Sequence, residues 1–242
     1  NDDYNYSHYN NNDEKNTIFS LTMLLCDICS THSSDIPITL NVPNIIRKAI
    51  SRYSDEVGRL WCKLADYYIR LGNFIKARNI YDEGINNVNT VKDFSIIYDS
   101  YVKIEEGIVT AMMEELEEDN GDNGDNGDNE EVNEGLESLE RLERLESLVD
   151  KRPLLLNSVL IRQNSNNVHE WLKRLQLLKD KDTSTSTSTS TSTSTSTSTS
   201  EEVIQCYKDA IKTIDSLNCL GKLSMIYSSY ASYYEIVLNN IE

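Results

Sequence analysis

Apolar and aromatic residues recur along this chain with the spacing of one helix face, in blocks separated by stretches that have almost none. Beyond Leu60 the order Trp61-x2-Leu64-Ala65-x2-Tyr68 puts four side chains on one side of a helix. Gly72 marks a turn, and Ala77, Tyr81 and Gly84 follow along a second helix, small residues alternating with an aromatic one. The pattern predicts a helical hairpin, and it recurs. Tyr98 opens Ile97-Tyr98-x2-Tyr101-x2-Ile104-Glu105, 37 residues after Trp61. Trp171 opens Trp171-x3-Leu175, and Tyr227 stands 56 residues further on, or 38 once the 18-residue Thr-Ser run between them is set aside. Positions on the second helices agree as well, Tyr81, Gly84, Ile85 and Val88 matching Tyr207, Ala210, Ile211 and Ile214.

Helices of such a hairpin approach closely only where small side chains meet bulky ones, so Ala65, Ala77, Gly84, Ala210 and Ala231 are expected against large neighbours. One hairpin cannot cover both its faces, and the repeats must stack. The register breaks between Tyr98 and Trp171. There Leu136, Leu139, Leu142, Leu145 and Leu148 recur every three residues, so each step slips about 60° around a helix; a zipper needs a period of 3.5. Pro153 is expected to end that helix and open the next, leaving Leu154 to Ile161 as a short helix apolar nearly all round.

Three segments lack the apolar content to pack and are expected to be disordered. These are 1–16, rich in Asn, Asp and Tyr; 117–134, built on Gly-Asp-Asn triplets; and 183–200, nine Thr-Ser dipeptides. The organisation that follows is repeats at 17–116, repeats with extra helices at 135–182, and repeats again at 201–242. The triplets fail the order of a calcium loop, because Gly121 stands third from Asp119. A chain that starts at Asn1 and stops at Glu242 inside an apolar-periodic stretch is expected to be an internal piece of a longer protein.

Charge changes the picture only once it is placed. The net charge is −17, but residues 114–134 alone hold eleven acids and no base, leaving −6 for everything else. Residues 141–181 run the other way, with nine bases (Arg141, Arg144, Lys151, Arg152, Arg162, Lys173, Arg174, Lys179, Lys181) against five acids. That local excess is a candidate contact for RNA phosphates or an acidic partner.

Catalytic chemistry is not signalled. No G-x-S-x-G, Walker loop, Rossmann glycine fingerprint or H-E-x-x-H occurs. The histidines are scattered: His8 in the first segment, His32 in an expected loop, and His169 before Trp171 in a helix-end or packing role. Cys26-x2-Cys29-x2-His32 has three groups that could ligate zinc but no second pair, so Cys26, Cys29, Cys62, Cys206 and Cys219 are read as thiols of a reducing compartment, mostly buried. Glu105 and Glu106 read as a solvated helix face. No catalytic, cofactor-binding or metal-binding residue is assigned, no cofactor is expected, and no apolar run is long enough to span a bilayer.

Ala77-Arg78-Asn79-Ile80-Tyr81-Asp82 resembles the A-R-x-[IV]-[YF]-[DE] signature of the HAT (half-a-tetratricopeptide) repeat family, and the spacing near 37 exceeds the 34 of a tetratricopeptide. Within that family the chain looks most similar to the SYF-type pre-mRNA-splicing factors, also called XPA-binding proteins. The blocks carrying this are Leu60 to Arg70, Val91-Lys92-Asp93-Phe94, Arg152-Pro153-Leu154-Leu155-Leu156-Asn157-Ser158-Val159-Leu160, and Arg162-Gln163-Asn164 with Val168-His169-Glu170-Trp171. Tyr227 departs from a family tryptophan and Ser165 from a proline. The resemblance implies an all-α fold, a right-handed α-solenoid of HAT (TPR-like) hairpins. It implies a nuclear, non-enzymatic scaffold of the spliceosome, in the NineTeen-associated complex, whose partners are other splicing factors rather than a membrane or a small-molecule substrate. The rival readings are a HAT scaffold of another RNA-processing assembly, such as the crooked-neck type, and a tetratricopeptide module that clamps peptide tails.

Overall fold

The computed structural model describes the backbone of residues 3–32, 40–54, 56–119, 128–188 and 195–239, and side chains over 17–32, 40–54, 56–114, 138–181 and 200–236. Among the described residues every regular element is a helix: α1 (Asp3–Thr31), α2 (Val42–Arg52), α3 (Val57–Arg70), α4 (Phe74–Asn87), α5 (Val91–Asp119), α6 (Asp128–Gln163), α7 (Val168–Ser188), α8 (Thr195–Thr213) and α9 (Ser224–Asn239). They fall into two compact units, Asn1–Val149 and Asp150–Glu242.

In the first unit α3 packs against α1 and α2 on one side and against α4 and α5 on the other, so successive hairpins stack. The turn between α3 and α4 follows from three residues. Gly72 adopts φ +72°, its N–H donates to the Ile69 carbonyl, and the Asn73 N–H reaches back to the Tyr68 carbonyl. This is a Schellman ending. The Asn73 side chain then caps α4 by accepting the Lys76 N–H at 3.1 Å. Inside, the small-against-bulky expectation holds at Gly84, where an added Cβ would sit 3.1 Å from both Trp61 and Ile97. Tyr81 stacks on Tyr101 with ring centroids 5.0 Å apart, and Trp61 and Tyr98 are buried.

The second unit repeats the scheme. Trp171, Leu175, Leu178, Val203, Tyr207 and Ile226 form its core, and Tyr207 stacks on Tyr230 at 4.8 Å, as Tyr81 does on Tyr101. The last repeat position differs, since Tyr227 and Ala231 are both exposed.

Two further expectations need correction. Pro153 does not end a helix, because α6 runs through it, and no separate helix spans 154–161. A helix proline orphans the carbonyl four residues earlier, here that of Val149, a residue 48% exposed where water can serve it. In the following stretch Asn157 and Val159 are buried, while Leu154, Leu155 and Leu156 are only half-buried. The slipping leucines do fail to share a face, Leu139 being 63% exposed and Leu148 9%. Helical backbone is described in part of each of the three segments of low apolar content, since α1 starts at Asp3, α5 and α6 reach Asp119 and Asp128, and α7 and α8 reach Ser188 and Thr195. Residues 120–127 and 189–194 lie outside the described ones.

Candidate interaction surface

The starts of α3 and α5 are clasped in the first unit. The buried Asp93 carboxylate accepts the Gly58 N–H at 2.9 Å, while its other oxygen accepts the Thr90 hydroxyl and its own N–H donates to Thr90 Oγ1. A Cβ on Gly58 would lie 2.7 Å from the Asp93 carbonyl oxygen, so glycine is what lets the two helix starts meet. In the second unit the starts of α7 and α9 are joined by main chain instead. The Val168 N–H donates to the Leu220 carbonyl and the Leu220 N–H to that of Asn166, a single parallel bridge. Gly221, at φ +110°, leaves room for Val168 and His169.

A buried ion pair ties α4 to α5. Arg78 donates from Nε and Nη2 to the two oxygens of Glu105 at 2.5 and 2.9 Å, with the Glu105 side chain 2% exposed. The reading of Glu105 as part of a solvated face is thereby corrected, because a bidentate guanidinium compensates the buried carboxylate. Burial and the Glu105 hydrogen bond act on Arg78 in opposite senses, and the bond dominates, holding its pKa above the ordinary value.

The basic stretch is not one open strip. Lys179 donates to the Tyr207 hydroxyl at 2.9 Å and lies over the rings of Tyr207 and Tyr233. Arg174 donates to Ser158 Oγ at 2.8 Å. Nearby, the end of α6, α7 and α8 enclose a groove of about 490 Å³, with Leu154, Ile161, Trp171 and Leu178 as its apolar lining. Arg162 and Arg174 flank it on the α6–α7 side, and Glu202, Gln205 and Asp209 on the α8 side. Burial, and then the positive charge of Arg174, push the Arg162 guanidinium below its ordinary range.

The remaining candidate residues fall apart chemically. Cys26, Cys29, Cys62 and Cys206 are buried thiols, and Cys219 is partly exposed. Burial is the main cause that pushes Cys26, Cys62 and Cys206 up to about 11. His32 lies exposed just past α1. His169 starts α7, its N–H donating to Asn167 Oδ1. The His8 side chain lies outside the described residues. Ser165, at the family's proline position, uses its carbonyl to accept the Trp171 indole N–H at 2.9 Å. Among the described residues no group of three His, Cys, Asp or Glu could hold a metal, and no helix is long and apolar enough to cross a membrane. Sequence reasoning missed the groove, whose wall residues come from three helices and share no periodicity.

Comparison with known proteins bears on the chain as a whole. The family profile of the pre-mRNA-splicing factor SYF1 middle HAT repeat matches residues 4–214. The pre-mRNA-splicing factor SYF1 of Dictyostelium discoideum is 41% identical over 211 residues, covering 87% of this chain and 22% of that protein. SYF1 of Homo sapiens is 39% identical over 211 residues, 87% of this chain and 21% of the relative. The pre-mRNA-splicing factor cwf3 of Schizosaccharomyces pombe is 37% identical over 196 residues, 81% and 21%. The chain thus spans about a fifth of the length of these relatives.

Proposed function

Because the chain belongs to the SYF1 family of HAT-repeat pre-mRNA-splicing factors, we propose that it serves in the nucleus as part of a non-enzymatic scaffold of the spliceosome, within the NineTeen-associated complex. Its work is to hold other splicing factors through protein–protein contacts. The single observation that carries this reading is the buried hairpins, matched over residues 4–214 by a splicing-factor repeat. On α1 Leu21, Leu24, Leu25 and Ile28 are all at least 48% exposed. Apolar faces of this kind pack against further polypeptide, whether more of the same chain or a partner.

Direct RNA contact through 141–181 is the weaker reading. Lys179 and Arg174 are engaged inside the second unit, and acids line the facing wall of the groove. Affinity purification of the full-length protein from nuclei, followed by mass spectrometry, tests the scaffold reading. Splicing factors should co-purify and survive nuclease treatment. Recovery of a different RNA-processing assembly, or of none, would overturn it.

A further inference from the structure

We draw no further inference here: the strongest candidate, the exposed apolar stripe of Leu21, Leu24, Leu25 and Ile28 on α1, is an unpartnered helix face, and nothing in the structure shows what covers it.

Discussion

Asp66, half-buried on α3, shows how a single side chain records its surroundings. Burial raises its carboxyl above the usual range, against the opposing charges of Lys63 and Arg70. A folded-state value above the unfolded one gives a contribution fully present at acid pH and lost as pH rises through the raised value. Asp66→Asn should therefore raise the thermal midpoint at about pH 8 and give no gain at about pH 3. Equal gains at both, measured by circular dichroism melting, would contradict the burial argument. Single residues were legible in the sequence where their role is apolar: Trp61, Tyr81, Tyr98 and Trp171 all lie in the core. Glu105 was not, because its partner Arg78 stands 27 residues away on another helix and an ion pair leaves no periodic trace.

Between elements, that ion pair is the sharpest target. Arg78→Ala should destabilise the first unit by about 3–5 kcal/mol, since Glu105 would stay buried without a counter-charge. The double variant Arg78→Met/Glu105→Met should recover most of that loss in urea unfolding. A double variant as unstable as the single one would show that packing, not charge, holds α4 to α5. The helices themselves were readable from apolar spacing, yet α6 was not, because Pro153 outweighed the flanking pattern in a reading that sees no solvent. The junctions also divide into two kinds. Those leading into α5 and α9 are fixed by Asp93 and by the Asn167–Leu220 bridge. The acidic and Thr-Ser segments instead fall where α5 gives way to α6 and α7 to α8.

At the level of the whole chain, the small cost of loop length accounts for long insertions in a packed protein. Lengthening a connection costs only about 0.6 kcal/mol per doubling. Replacing 183–200 by Gly-Gly-Asn-Gly in the full-length protein should change the unfolding free energy by less than about 1 kcal/mol. A much larger loss in urea titration would mean the run does structural work. The family was legible from the Arg152 to Leu160 block, whereas the surface that meets a partner was not, since composition reports what a chain carries and not which wall faces out.

The bridge at Asn167 and Leu220 has one more consequence. Atoms common to every amino acid make that bridge, so Ser216 and Leu217 are at liberty to change identity while the linkage endures, whereas Asn218 holds Asp215 through its side chain and Gly221 is held by its φ of +110°. Amide exchange at Val168 and Leu220 should stay slow when those two are rewritten to alanine and quicken when Gly221 becomes valine. The seam joining the last two repeats is thus written in geometry rather than in letters.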